Sequence, residues 1–386
     1  MKIIGIKTRL LRIPYTEFLR AAYGGRSHAS YLLVVIETDE GIVGYGEHDG
    51  LFYETAEAFI HTELKPLLIG EDPLQIEFLG HKLEHFLLWN TFAAYPMAAV
   101  DMALYDIKGK KLGLPAYELL GGLYRQKMEV TGLIHMHGIE EDVASAVKFK
   151  ERGYKVLKIK VGFDLPKDME RLAAIREAVG PDMPFRIDPN MAWSPRTAVR
   201  WIRRMEKFNL QWVEQPVPSW DINGLLEVAR AVETPLSADE SCMTVRDALV
   251  LAESGAVEAF NVYLMESGGI TRAREIAVIA NTAGIACVLG TWGEGGVGQA
   301  AALHLVASSR NFELASDSAY GLVSDDYITH PFEFDPQACL SVPHGPGLGV
   351  ELDQEKIGKY SKIEGEDRVF AAGPGDRFIP RSRMIL

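Results

Sequence analysis

Cysteine is scarce in this chain: three among 386 residues, Cys242, Cys287 and Cys339. The number is odd and no two lie close together, so neither a disulfide framework nor a zinc cluster is expected. The expected setting is a reducing cytoplasm. Positive charge is also in deficit, with 40 Lys and Arg against 53 Asp and Glu, a formal net charge of −13. That balance argues against nucleic acid and against anionic membrane surfaces as partners. It leaves an anionic substrate open, because a bound cation and local lysines can reverse the field inside a pocket. No apolar stretch approaches roughly 18 uninterrupted residues. The opening Met1-Lys2-Ile3-Ile4-Gly5 carries no run of signal length, so neither a membrane span nor a leader is expected. Low-complexity tracts are missing, and so are internal repeats.

What the chain does have is apolar residues, 47% of the total against 24% charged, enough for a large core. Its length suits a barrel plus a companion domain. The first part reads as α+β. Residues 2–13 and 31–47 are rich in Ile, Val and Leu, and Asp39-Glu40-Gly41 supplies a hairpin turn within the second stretch. Helical patterns follow over 54–68 and 94–111, the second ending at Gly113-Leu114-Pro115. From about Met128 strands and helices alternate. Strands are predicted over 130–137, 156–161, 184–188, 211–214, 235–239, 259–264, 286–290 and 312–316. Amphipathic segments between them predict a closed parallel sheet. The expected organisation is an α+β capping domain (1–125), a barrel (126–320), and a C-terminal segment (321–386) that returns to the capping domain and covers part of the barrel mouth.

Four polar positions fall at the ends of consecutive predicted strands: Lys160, Asp188, Glu214 and Asp239. They are separated by 28, 26 and 25 residues, about one strand, one helix and two loops of a (β/α) barrel. Each would then stand at the C-terminal mouth, where barrel enzymes carry out their chemistry. Three converging carboxylates suit a hard divalent cation such as Mg²⁺. Lys158 and Lys160 lie two apart on one strand and so share a face. Two lysines among Val156, Leu157, Ile159 and Val161 are poorly explained as a solvated surface. Taken singly, each acid could be a cap or a loop ion pair; three at matching strand ends make that reading weak.

The segment Ala98-Ala99-Val100-Asp101-Met102-Ala103-Leu104-Tyr105-Asp106-Ile107-Lys108-Gly109-Lys110, with Gly113-Leu114-Pro115 and Leu119-Leu120-Gly121-Gly122, resembles the enolase superfamily. Within it the chain is similar to the muconate-lactonising branch and its mandelate-racemase relatives, over almost its whole length. The resemblance implies a modified (β/α)₇β TIM-type barrel with an α+β capping domain. It also implies Mg²⁺-assisted removal of a proton α to a carboxylate, through an enediolate, with Mn²⁺ as a possible substitute. It further implies a small-molecule carboxylate substrate and a homo-oligomer, dimer or octamer. By resemblance Asp188, Glu214 and Asp239 hold the ion, Lys160 is the base, and Lys158 lowers its pKa and touches the substrate carboxylate.

One position departs from the branch. Relatives usually carry a lysine on the sixth strand, facing the first base across the substrate. Here Phe260-Asn261-Val262-Tyr263-Leu264-Met265-Glu266-Ser267-Gly268-Gly269 puts Tyr263 in that slot, with Gly268-Gly269 fixing the alignment. No histidine closes the seventh strand, Leu289-Gly290-Thr291-Trp292. A phenol with a pKa near 10 can donate a proton or hydrogen bond but is a weak base unless perturbed; Tyr263 can equally be a wall residue. Racemisation needs acid/base groups on both faces, whereas syn elimination of water needs one. The expected reaction is therefore dehydration of a hydroxy acid or hydroxylated amino acid. A racemase or epimerase of an amino-acid derivative, or a cycloisomerase, is the alternative. A non-catalytic carboxylate-binding barrel is the rival of another class, and a Schiff-base aldolase is a third, which fails to explain three metal-type acids.

Further pocket candidates are Asn190, Glu294 and Trp292, with Glu240 orienting a lysine and Asp317 as an additional acid. His135 and His137 end the first predicted barrel strand, where they would bind a polar substrate group or serve the structure. Two capping segments, residues 15–26 and 47–53, are expected to close over the ligand. They contribute Tyr23, Arg26, His48, Asp49 and Tyr53, with Arg26 available to a distal carboxylate. Each is weighed against an ordinary surface role. Gly24-Gly25 matches neither a P-loop nor a dinucleotide fingerprint.

Overall fold

In the computed structural model of the chain, residues 1–21, 24–49, 52–87, 93–361 and 368–370 are described. The N-terminal part is an antiparallel sheet. Strands β1 (Ile3–Ala21) and β2 (Gly24–Thr38) form one long hairpin, and β3 (Val43–Asp49) pairs with β2 on its other side. Leu32, Val34 and Ile36 are buried, as β-branched and aliphatic residues on a covered strand should be. The segment 15–26, read from sequence as a Gly-rich closing loop, belongs instead to the two strands of this hairpin, apart from the undescribed residues 22 and 23.

Helix Ala94–Leu112 packs against β3 and ends on Gly113, whose φ of 69° gives the expected glycine stop. The predicted 54–68 helix runs from Tyr53 to Leu68, with a π-helical turn at Ile60–Leu64. Asp106 on the long helix accepts the Tyr45 and Leu348 backbone N–H groups, both at 2.9 Å, and pairs with Lys110 at 2.6 Å. One carboxylate thus joins the capping sheet to the C-terminal segment.

The second part is a parallel sheet whose strands β5 (Gly132–Ile134), β6 (Leu157–Lys160), β7 (Phe185–Asp188), β8 (Leu210–Glu214), β9 (Leu236–Ala238), β10 (Ala259–Val262) and β11 (Ala286–Leu289) neighbour one another in sequence order. Residues 315–317 close the ring. Ser316 exchanges backbone hydrogen bonds with Glu129 (2.8 Å) and Thr131 (2.9 Å), and the Asp317 N–H donates to Leu289 (2.8 Å). This is the eighth strand position, and helices fill the intervals between strands. The fold is a (β/α)₇β barrel with an α+β cap. Inward side chains alternate with outward ones: Trp212, Ala259 and Val288 form a small separate core inside the ring, with Arg186 stacked 3.8 Å over Trp212.

After the barrel, β12 (Cys339–Ser341) pairs with a short strand β4 (Lys127–Glu129), and β13 (Arg368–Phe370) pairs with Gly24–Arg26 of β2. The enolase-like signature turns out to be a contact between the two parts. Asp101 of the capping helix accepts the Thr271 N–H (3.2 Å) and hydroxyl (2.6 Å) at the start of barrel helix Ile270–Ala283. Gly269 just before it has φ 112°, and a Cβ there would fall 2.5 Å from the Asp101 carboxylate. Gly269→Ala is expected to destabilise the fold by about 1–3 kcal/mol, read by chemical denaturation.

Glu47 on β3 is a second junction. It is 1% exposed and accepts the Gly295 N–H (2.8 Å) and the Tyr327 hydroxyl. Burial pushes its carboxyl up to about 8. The protonated form is thus favoured in the folded state. Its stabilisation is complete below the unfolded carboxylate value and is lost as pH rises through about 8. Unfolding free energy should fall between pH 5 and 8 by on the order of 1 kcal/mol per pH unit, read as a falling melting temperature, and Glu47→Gln should flatten that slope.

Candidate active site

The strand register gathers the polar residues. Lys160 of β6 pairs with Asp188 of β7, and Glu214 of β8 with Ser237, two residues before Asp239. Residues two apart on a strand share a face, so Lys158 and Lys160 point inward together, as do Arg186 with Asp188 and Trp212 with Glu214. Arg186 and Trp212 fill the floor; the lysines and acids form the layer above it. Asp188, Glu214 and Asp239 each offer a carboxylate oxygen within 4.8 Å of the others, and all three are buried.

Lys158 is locked into this group. Its Nζ lies 2.5 Å from Glu214, 2.7 Å from Asp317 and 3.4 Å from Asp188, with the side chain 3% exposed. Lys160 is more open. It lies 2.5 Å from Asp188 and donates to the Asn190 side-chain carbonyl at 3.0 Å. Asn190 in turn donates to Glu240 at 3.2 Å, so Glu240 reaches Lys160 through an amide. Asn190 also gives its backbone N–H to Asp188 at 2.8 Å, from a left-handed φ of 44°.

Burial would raise all three acids, but they separate. Asp188 is held down to about 2 by Lys160 and Lys158, despite its burial. Burial, only partly offset by Lys158, lifts Glu214 to about 7. Burial and then Glu240 push Asp239 well above the usual range. Asp239 makes no ion pair within 4.0 Å among the described residues. Four carboxylates, counting Asp317, therefore face two ammonium groups. This uncompensated oxygen-rich cluster fits a divalent cation.

The sixth-strand position is a tyrosine ring lying over the β11 terminus. A Cβ on Gly290 would fall 1.9 Å from Tyr263 Cε2, so the phenol occupies the space that only a glycine there leaves. In the ring β6 and β10 are four places apart, which puts Tyr263, directly after β10, across the barrel from Lys160. Burial, followed by Asp239 and Glu214, raises its pKa well above the usual phenol value. Tyr263 and Trp292 have ring centroids 6.3 Å apart, and the Arg26 guanidinium lies 5.2 Å over Trp292. The Glu294 carboxylate accepts from the Thr291 hydroxyl at 2.5 Å and the Trp292 N–H at 3.3 Å.

Other sequence candidates sit farther out or do different work. His135 and His137 lie beyond the end of β5 rather than on it, rings 6.3 Å apart. His137 Nε2 is hydrogen-bonded to Phe18 O of the cap at 2.9 Å. His48 is buried on β3, edge-on to Tyr95 at 5.7 Å. Tyr53 is buried beneath Arg12, whose guanidinium is 5.6 Å from its ring. Tyr23 lies outside the described residues.

Three site residues were missed. Asn261 donates to Glu214 at 2.9 Å, and its place two before Tyr263 on β10 was a period-2 signal for it. Glu266 accepts from Trp292 Nε1 at 2.8 Å and from the Tyr95 hydroxyl at 3.2 Å. Tyr95 comes from the capping helix, 171 residues away, and no local pattern marks that pairing.

Barrel, cap and acid trio facing a lysine pair define an enzyme of the enolase type. Two family models match: "Enolase C-terminal domain-like" over residues 141–356 and "Mandelate racemase / muconate lactonizing enzyme, N-terminal domain" over 6–121. The chain belongs to the mandelate racemase/muconate lactonizing group of the enolase superfamily. A hydrophobic dipeptide epimerase of Enterococcus faecalis is 38% identical over 91% of this chain and 99% of its own. The crystal structure of a dipeptide epimerase from that organism, complexed with Mg and the dipeptide L-Leu-L-Tyr, matches with TM-score 0.84 at 35% identity, over 91% and 100% of the two chains. The 2-chloromuconate cycloisomerase structure of Rhodococcus opacus matches with TM-score 0.90 at 29% identity, over 94% and 100%. The chemistry common to the group is proton transfer at the carbon beside a carboxylate. None of these relatives is a dehydratase, so the dehydration put first from sequence draws no support from them. Among the described residues no helix is long and apolar enough to cross a membrane.

Proposed function

We propose that the protein removes the α proton of a small carboxylate with Lys160 as its one principal base, and that the reaction is dehydration of a β-hydroxylated substrate. The observation that carries this reading is the pair of groups on opposite walls: an amine on β6 and a phenol after β10. Lys160 Nζ takes the proton from Cα. The bond from Cβ to its hydroxyl breaks, a C=C bond forms, and the same ammonium returns its proton to the departing hydroxide as water. One base on one face suffices. Lys158, held by Glu214 and Asp317, keeps a fixed positive charge beside the substrate carboxylate. Asn190 and Glu240 aim the Lys160 amine. Asp188, Glu214 and Asp239 are the residues that would hold Mg²⁺, which when bound stabilises the charge that develops on the carboxylate oxygens.

The likeness to a dipeptide epimerase favours a second reading, two-face epimerisation with Tyr263 as the partner acid/base. A carboxylate panel in D₂O separates the two. Under the first reading, hydroxylated members lose water, and Tyr263→Phe keeps α-hydrogen exchange within about tenfold. If Tyr263→Phe instead abolishes exchange from one enantiomer and spares the other, and no panel member loses water, the protein is an epimerase.

A further inference from the structure

Asp49 ends β3, 1% exposed, and among the described residues neither of its carboxylate oxygens has a hydrogen-bond partner on another residue. A buried carboxylate left bare is costly unless a cation pairs with it. Its strongest electrostatic neighbour is another acid, Glu294 of the loop after β11. Glu47 adds to the repulsion. Arg26 is the one cation among its main electrostatic neighbours, yet the two make no ion pair within 4.0 Å, and Arg26 is stacked over Trp292 instead. Glu47, two residues earlier and on the same face of β3, accepts the Gly295 N–H, so Asp49 lies on the side of the strand that meets the loop after β11.

We propose that Asp49 and Glu294 receive a positively charged nitrogen of the substrate, which is therefore an amino-carboxylate zwitterion. The negative end lies at Lys158 and the acid trio; the positive end lies under the cap. Arg26, which from sequence was available for a distal carboxylate, serves here to offset part of the Asp49 charge. This assignment deepens the carboxylate reading above and rests on it for the position of the substrate's negative end.

The test uses matched trios of carboxylates on common skeletons, each with a free amine, an N-acetyl group or no nitrogen. Every member is assayed with Mg²⁺ in two ways, binding by thermal shift and α-hydrogen exchange in D₂O. Free-amine members are expected to bind at least about tenfold more tightly than their partners. Asp49→Asn should erase that preference, with the loss in KM rather than kcat, while the thermal shift from Mg²⁺ alone persists. Should Asp49→Asn fold poorly, Glu294→Gln makes the same test, and the trio comparison on the unaltered protein stands without either. Equal binding across a trio, no binding by any free-amine member, or an unaltered preference in both variants overturns the assignment. Free-amine binding with exchange by no member keeps the subsite and sinks the proton-abstraction reading instead.

Discussion

Lys160→Ala is expected to cut α-hydrogen exchange by roughly 10²–10⁴-fold, the range for losing a positioned acid/base group. The loss should appear whether the product is alkene or epimer, because each begins by breaking the same C–H bond, and for a lactone because that bond is the one formed last. It should fall on kcat, with substrate binding kept, since Lys158 and the acid trio remain. The fold should survive. Lys160 is the half-open member of the pair, its side chain 16% exposed, and without it Asp188 still has Lys158 at 3.4 Å. Lys158→Ala is a harsher change, because it strips buried Glu214 and Asp317 of their ammonium partner and leaves Asp188 with Lys160 alone. Exchange measured by NMR, with circular dichroism as the folding control, gives the answer. Turnover of Lys160→Ala within tenfold of the unaltered protein would remove the base from the mechanism.

The barrel was legible because its signal is local and repeated. Alternating strands and helices fixed the spacing of Lys160, Asp188, Glu214 and Asp239, and a period of two fixed which side chains face inward. The same rule would have found Asn261. The cap was harder. The β1–β2 hairpin looked like a mobile loop because Gly24-Gly25 suggested slack, while its pairing to Leu19–Ala21 is long-range. Tyr95, Glu266 and Glu47 gave no hint at all. Each acquires its role by contact with a residue more than 150 positions away, Glu47 at Tyr327 and Tyr95 at Glu266. Asp49 stood out only as part of a segment; that its oxygens are bare is a fact of packing, and no sequence pattern encodes it.

Metal binding has the second largest expected effect, and its sign without the ion is informative. Asp188, Glu214 and Asp239 repel one another in a buried place, and among the described residues Asp239 makes no ion pair. Asp239→Asn removes an acid whose anion burial and Glu240 already disfavour, at nearly constant shape, so without Mg²⁺ the variant should melt at or above the temperature of the unaltered protein. With Mg²⁺ the order should reverse. An ion that binds only the folded chain adds about 2.7 kcal/mol at one hundred times its Kd, a rise of a few degrees. Asp239→Asn should lose that rise together with exchange activity, and chelation should return the unaltered protein to its lower melting point and to no turnover. The two readouts are independent, since melting reports the ion with no substrate present. A variant that melts lower without Mg²⁺ and still gains stability from it would mean that Asp239 is a structural acid with its own hidden partner, and that the cation, if any, sits elsewhere.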